Sequence, residues 1–520
     1  MDTGGMAIEP NNGRAGVPQD GVPGGSPKRV MFTDTLFYLA AKTIEGVVGI
    51  AATSLYTFLF SKEIYGRFAL LNVVITAGGM LCIQWLAQPV YRYLSDYLNN
   101  GRLKDFYSTA FFLWLIVNGA AVLLGGGFIL LANTLCAGNG WLTVFNNNYP
   151  ANWLTLAVLM FVSYNTAQIL TSLLAAHRAV KLNLFLSAFA VAGKLAGLFV
   201  LSKLFGARIE WILLTSFIFD SCVSAIALCR LGLLRQVSRR AYSPDIQRSF
   251  IVYGVPLIGN ILTITILNSS DRFFIGHYGN AADVGVYTIN YSLISAAFTV
   301  LSYAVMRGTY PTILRAWSAG RREDAKRLIS HAVRGYLLIG APAVAGVAAL
   351  CYPMAHVLFK RDYAAGFLVM PFVAGGMLFS ALTEYSNKPW ELTARTHIIF
   401  RNSVIASAVN IAANIVLVPR FGYIAAACST LGAFLFLYIL SKAGSSRHIR
   451  WTLTPLVYAR IILSAGVMAV SVYFIGARVG SVPGLAAAVA AGAVIYAVLL
   501  FVSGEIRGEA REVFKKLTRR

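Results

Sequence analysis

Apolar residues along this chain do not alternate with polar ones at a helical or strand period. They gather into continuous runs of twenty or more, from Met31 almost to the end, separated by short breaks of charged residues, Gly, Pro or Asn. About twenty apolar residues wound as an α-helix span the ~30 Å hydrocarbon core of a bilayer. A helix also satisfies its own backbone hydrogen bonds there, which an isolated strand does not. The runs predict fourteen transmembrane helices, near 33–60, 65–94, 106–133, 150–176, 183–205, 208–233, 248–276, 283–314, 328–350, 364–385, 396–418, 421–442, 454–476 and 482–503.

Composition agrees with the pattern. Of 520 residues, 57% are hydrophobic and 12% charged, and mean hydropathy is +0.66. No soluble core absorbs that much apolar surface, so chain length here counts helices and not soluble domains. Residues 1–30, rich in Gly, Pro, Asn and Ser, read as a disordered cytoplasmic tail. The first apolar run is too long for a signal-peptide core and is expected to stay as an anchor. Residues 504–520 read as a basic cytoplasmic tail.

A formal net charge of +23 raises the question of nucleic acid, and the placement of the positive residues excludes it. Counted over alternate connections, 32 of the 44 Lys and Arg fall on one side of the helices and 8 on the other, while Lys42, Lys194, Arg272 and Arg307 fall within helices. The positive-inside rule makes the first side cytoplasmic and puts both termini there, as an even helix number requires.

The chain also repeats. Tyr65-Gly66 matches Val284-Gly285, Gly101-Arg102 matches Gly320-Arg321 and Tyr91 matches Tyr310, all at an offset of 219; Phe205-Gly206 matches Phe421-Gly422 at 216. Equivalent positions six helices apart predict two lobes of like topology, 31–235 and 245–442, related by a pseudo-twofold axis along the membrane normal, with 454–503 as two further helices. A cleft between two such lobes is what alternating-access transport requires.

Two blocks carry a family resemblance. Asp271-Arg272-Phe273-Phe274-Ile275-Gly276, followed by Val284-Gly285-Val286-Tyr287, resembles the seventh-to-eighth helix signature of polysaccharide flippases. Asn410 with Asn414-Ile415-Val416-Leu417-Val418-Pro419-Arg420-Phe421-Gly422-Tyr423 and the alanines after it is similar to the same family's Asn-rich helix ending in Pro-x-Phe/Tyr-Gly. With Phe60-Ser61-Lys62-Glu63-Ile64-Tyr65-Gly66, the likeness covers roughly residues 33 to 442. It points to the Wzx-type flippases of the multidrug/oligosaccharidyl-lipid/polysaccharide exporter superfamily. The resemblance implies a carrier of undecaprenyl-pyrophosphate-linked oligosaccharide in a bacterial cytoplasmic membrane, serving surface polysaccharide synthesis alongside polymerase or assembly proteins. Related folds export cationic amphipathic compounds or flip lipid II, and those remain alternatives.

Catalytic signals are sparse. There is no Walker phosphate loop, HExxH or GxSxG, so energy has to come from a gradient or a partner, with a proton or sodium ion as the expected coupling ion and no cofactor. A membrane glycosyltransferase or ligase would need acids, bases or nucleophiles outside the bilayer, yet residues 134–149, the longest outer loop, hold no Lys, Arg, Asp, Glu or His. A non-transporting scaffold is a further alternative. Six scattered cysteines without CxxC spacing and six histidines near helix ends suggest neither a metal site nor a disulfide framework.

Charges within helices carry the most information, since each costs about 2.5 to 3.5 kcal/mol at a helix centre and needs a partner or a wet cavity. Lys42, Glu45, Lys194 and Asp220 are placed near the midplane, and their repeat equivalents Ile261, Ile264, Asn410 and Phe436 are uncharged. Two readings stay open: a pair of structural ion pairs, or a site where Glu45 and Asp220 exchange a coupling cation and Lys42 and Lys194 receive substrate phosphate. Arg92, Arg307 and Arg315, at cytoplasmic helix ends, are either pyrophosphate receivers or positive-inside anchors. Asp271 and Arg272 sit near the outer end of the seventh helix, as a further cation and substrate site or as a snorkelling, mutually supporting pair. Tyr287, Tyr291 and Tyr303 either stack on sugars or pack between helices.

Overall fold

The computed structural model describes residues 27–135, 148–177, 179–393, 395–445 and 451–507, with backbone only at 27–41, 131–135, 260, 303–304, 306–308 and 311. The expected tails over 1–30 and 504–520 and the outer loop over 134–149 lie mostly outside the described residues. What is described is helical and contains no strand.

The first six long helices are α1 (Pro27–Leu59), α2 (Lys62–Asn99), α3 (Leu103–Leu135), α4 (Ala151–Ala176), α5 (Val180–Phe205) and α6 (Glu210–Leu231). After a short linker come α7 (Pro244–Tyr278), α8 (Ala281–Ser318), α9 (Arg322–Leu358), α10 (Val369–Leu392) and α11 (Thr396–Ser445), then α12 (Pro455–Gly476) and α13 (Val482–Val502). α11 crosses twice. Its backbone leaves the helix at Gly422, with φ 64° and ψ −153°, a conformation that costs glycine little and other residues much. The two arms of α11 bring the crossings to the expected fourteen, and eleven of these helices are long and apolar enough to span by length and composition alone.

The repeat seen in sequence is a repeat of local chemistry. Ser61 accepts the Ile64 N–H at the start of α2 and Asn280 accepts the Asp283 N–H at the start of α8, each filling an orphan donor of its first turn. Both hairpins that follow turn at a glycine of positive φ, Gly101 and Gly320. A third pair, Gly206 and Gly422, marks the opposite turns. Helices α1–α6 and α7–α11 are therefore two pseudo-symmetric lobes, with α12 and α13 packed on α9. Glu505, buried just past α13, fastens that addition: it accepts from Arg334 of α9 at 2.8 Å and pairs with Arg460 of α12 at 3.4 Å.

The lobes meet closely at the face opposite the Lys/Arg-rich one. A Cβ on Gly66 would lie 1.7 Å from the Ala281 carbonyl oxygen, and one on Gly285 would lie 2.2 Å from that of Lys62, so the two dyad-related glycines let the starts of α2 and α8 touch backbone to backbone. Around that seam Ser54 Oγ donates to the Leu358 carbonyl at 2.6 Å, the Lys360 N–H to Thr57 Oγ1 at 3.2 Å and Tyr363 OH to the Phe60 carbonyl at 3.2 Å. Toward the basic face α7 crosses into the first lobe. Ile246 and Phe250 are fully buried with Leu86, Leu94 and Phe106, and Gly254 lets α7 press on the backbone of Trp85. One helix thus has its first half packed in one lobe and its second half in the other.

Candidate functional site

Between α1, α7 and α8 lies a cavity of about 390 Å³. Small residues make it: Gly46 of α1 brings that helix against Val300 of α8, while Thr53, Ser292, Ser295 and Thr299 give the walls hydroxyls. Three charged side chains enter it. Lys42 and Glu45, one turn apart on α1, pair at 2.5 Å with about a third of each side chain exposed. Arg272 enters from α7 and is 8% exposed.

Arg272 is held without a carboxylate. Its Nε donates to Thr288 Oγ1 at 3.2 Å, its Nη1 to the Asn268 carbonyl at 3.0 Å, and its guanidinium carbon sits 4.9 Å from the centre of the Tyr291 ring. Among the described residues no acid lies within ion-pair distance of it. A guanidinium fixed by neutral groups and a ring face keeps a full positive charge on offer to an anion.

Asp271, its neighbour in sequence, points elsewhere. It is fully buried inside the second lobe, where it accepts from Tyr287 OH at 2.6 Å, from Asn414 Nδ2 at 2.9 Å and from Thr430 Oγ1. Asn414 also donates to Asn410 Oδ1 at 3.2 Å and accepts from Ser429 Oγ at 2.5 Å, and Ser270 Oγ donates to Asn410 at 3.2 Å. The Gly422 break lets both arms of α11 contribute, Asn410 and Asn414 from the first, Ser429 and Thr430 from the second. The snorkelling or mutually supporting Asp271–Arg272 pair is therefore corrected: neither side chain reaches the surface, and each has its own partners.

The four midplane charges resolve into two ion pairs in different places. Lys42–Glu45 lines the cavity. Lys194 of α5 and Asp220 of α6 pair at 2.7 Å within the first lobe, with side chains 29% and 7% exposed, and neither is part of the cavity wall. Arg92 is exposed at the basic end of α2, its guanidinium 4.5 Å from the centre of the Tyr253 ring. Arg315 lies at the basic end of α8. The side chains of Arg307 and Tyr303 are outside the described residues. Tyr287 and Tyr291 are buried against Asp271 and Arg272, so packing and positioning, and not open stacking platforms, describe them.

Sequence reasoning missed three features. Asn410 and Asn414 read in the sequence as motif residues, and Asn410 also as an uncharged repeat position, although two amides one turn apart in an apolar helix are a signal of a buried polar centre. Thr430 and Ser429 look like small packing residues. The tenth predicted helix, near 364–385, stops short of Lys388, whereas α10 runs on to Leu392 with Pro389 inside. There Lys388, 7% exposed, pairs with Glu391 at 2.8 Å and lies over Tyr310. Cys82, Cys222, Cys229, Cys351 and Cys428 are free thiols, and no cluster of three metal-ligating side chains occurs among the described residues.

A family model described as "Polysaccharide biosynthesis protein" matches residues 59–368. The chain belongs to that family. Among its curated relatives are "Probable flippase AglR" of Haloferax volcanii, 27% identical over 264 residues, 47% of this chain and 52% of that one, and "Probable lipid II flippase MurJ" of Haemophilus influenzae, 27% identical over 169 residues, 30% and 32% of the two chains. The chain spans between about a third and about half of the length of the curated relatives it matches. Among solved structures, the lipid II flippase MurJ in an inward closed conformation superposes with a TM-score of 0.71 at 14% identity, over 91% of this chain and 99% of that one. A MATE family multidrug resistance transporter of the MOP superfamily, facing inward, gives 0.61 at 12% identity over 82% and 98%. This polysaccharide biosynthesis family member thus shares the fold of these two structures.

Proposed function

We propose that this protein flips a lipid-linked oligosaccharide, with undecaprenyl pyrophosphate as the expected carrier, across a bacterial cytoplasmic membrane by alternating access. The observation that carries the reading is Arg272: a guanidinium in a cavity between two lobes, bound only by neutral groups, suits a pyrophosphate and repels a cationic drug. Lys42, on α1 in the same cavity, adds a second cation once Glu45 is shared with substrate hydroxyls.

A second space supports a lipid cargo. On the far side of α8, toward α9, α12 and α13, an apolar groove of about 500 Å³ is lined by residues such as Phe298, Leu301, Met354, Met468 and Val472. α8 presents Ser292, Ser295 and Thr299 to the charged cavity and Ala297, Phe298 and Leu301 to the groove. A headgroup on one face of the helix and an isoprenyl chain on the other would keep each part in a matching environment throughout the crossing.

Asp271 is the proposed coupling site. A single carboxylate that accepts from Tyr287 OH, Asn414 Nδ2 and Thr430 Oγ1, with the Asn410 amide oxygen accepting from Asn414 behind it, supplies one negative charge among neutral groups, which fits a proton or a sodium ion better than a divalent cation. Binding of the purified protein to an isoprenyl-pyrophosphate saccharide, measured for the wild type and for Arg272→Met, tests the reading. Binding that drops in the variant supports it; binding only of cationic amphiphiles, unaffected by Arg272→Met, favours the exporter.

A further inference from the structure

A separate recess opens at the basic face, on the α8–α9 hairpin and away from the central cavity. It holds about 370 Å³ and is walled by Thr312 and Arg315 on the last turns of α8, Arg321 in the turn, and Asp324 and Arg327 on the first turns of α9. The repeat supplies an internal control. At the same offset of 219 the first lobe carries Tyr93, Asp96, Arg102, Asp105 and Ser108, on a hairpin with the same glycine turn. The first lobe therefore sets one arginine against two aspartates where the second sets three arginines against one. A hairpin of this shape does not demand the extra guanidinium groups.

The two hairpins also differ in what occupies them. In the first lobe Ser108 and Thr109 accept the backbone N–H groups of Ser238 and Ser243 at 3.0 Å each, so the linker between the lobes docks there. Arg327 and Leu328 stand at those positions in the second lobe. The ion pair common to both is tight in the first, Arg102–Asp105 at 2.9 Å, and loose in the second, Arg321–Asp324 at 3.7 Å. A guanidinium held only loosely by its carboxylate, with two more beside it and the first turn of α9 adding its partial positive charge, suits a phosphate.

We propose that Arg315, Arg321 and Arg327 form a second anion site, which takes the phosphate group of a membrane lipid at the basic face. The recess has room for a phosphate and one attached glycerol or sugar unit, but none for an oligosaccharide. Its position at the basic face suits a headgroup whose tail remains in the bilayer, where an anionic surface attracts basic residues. The site does not depend on the flipping proposal, because its readout is binding and none of its residues lines the central cavity.

The same phosphate chemistry is available from bulk anionic phospholipid or from an isoprenyl pyrophosphate, and two arms of one experiment separate them. The full-length protein in phosphatidylcholine nanodiscs is offered phosphatidylglycerol in one arm and farnesyl pyrophosphate in the other, with retained lipid read by native mass spectrometry. Arg321→Gln with Arg327→Gln should lower retention about tenfold in at least one arm, and the corresponding double substitution to Lys should recover part of it. The arm that responds names the source. Arg239→Gln with Arg240→Gln removes two exposed arginines from the interlobe linker, which docks at the first-lobe hairpin on the same face, and should change retention less than twofold. Retention unchanged in both arms, or lowered equally by the control, would overturn the site.

Discussion

Asp271 and Arg272 are consecutive on α7, yet they serve different compartments: Asp271 accepts from Tyr287, while Arg272 donates to Thr288, the next residue on α8. Two adjacent residues of one helix thus engage two adjacent residues of the next, one pair inside the second lobe and one in the cavity between lobes. A cation gained or lost at Asp271, as proposed, would act on Arg272 through a single peptide unit. Coupling requires that the two occupancies bias the same conformational change.

Asp271→Asn is predicted to insert at near-normal level and to lose gradient-driven transport. Arg272→Met is predicted to weaken substrate binding about 10- to 100-fold, corresponding to about 1.5 to 3 kcal/mol for hydrogen bonds to a charged group. Arg272→Lys should recover only part, because an ammonium lacks the planar fork. Transport assays with and without an imposed ion gradient, alongside binding, separate the two. Equal dependence of Asp271→Asn and wild type on the gradient would remove Asp271 from the coupling role.

The two ion pairs are expected to behave differently. Lys194→Met strands Asp220, which is nearly enclosed, so folded protein should fall, and Lys194→Met with Asp220→Leu should restore it. Lys42 and Glu45 are partly exposed in a hydroxyl-lined cavity, so Glu45→Gln should leave abundance unchanged and impair transport. Membrane-fraction abundance and transport measured on the same cells check both. Normal abundance with lost transport in Lys194→Met would return that pair to the functional set.

Helix count, orientation bias and the internal repeat were legible because each depends on composition over many residues. The site was legible only where charge marked it. Lys42, Glu45, Arg272 and Asp271 stand out against apolar neighbours, but pairwise geometry depends on which helices meet, and that is set by Gly46, Gly66, Gly254 and Gly285, whose role appears only when a second backbone lies against them. The cage around Asp271 draws on Asn410, Asn414 and Thr430, some 140 to 160 residues away, which sequence spacing does not bring together. The predicted helix near 364–385 ends before Pro389, whereas α10 continues through it to Leu392; a proline near a helix end in a packed membrane bundle costs less than it does in water.

The glycine seam predicts a conformational bias. Gly66→Ala places a methyl group on the Ala281 carbonyl, and overpacking of this kind costs about 1 to 3 kcal/mol. The closed form of that face should lose about 5- to 150-fold in relative population. A cysteine introduced at cavity residue Thr53 (Thr53→Cys), in a background without native cysteines, should then react faster with an impermeant thiol reagent added outside. Unchanged labelling would show that the seam does not gate the cavity.

Orientation has its own test. Reporters fused after Arg235, Ala319 and Lys442 should read cytoplasmic, and fusions near Asn147 and Asp362 external. An external signal at Ala319 would contradict the topology, since the basic recess of the α8–α9 hairpin would then face outward.

The leaflet location of lipid-linked oligosaccharide in cells lacking this protein tests the account most directly. The account predicts accumulation in the cytoplasmic leaflet, reversed by the wild-type chain and not by Asp271→Asn or Arg272→Met. An unchanged leaflet distribution, accompanied by altered tolerance to cationic amphipathic compounds, would contradict it.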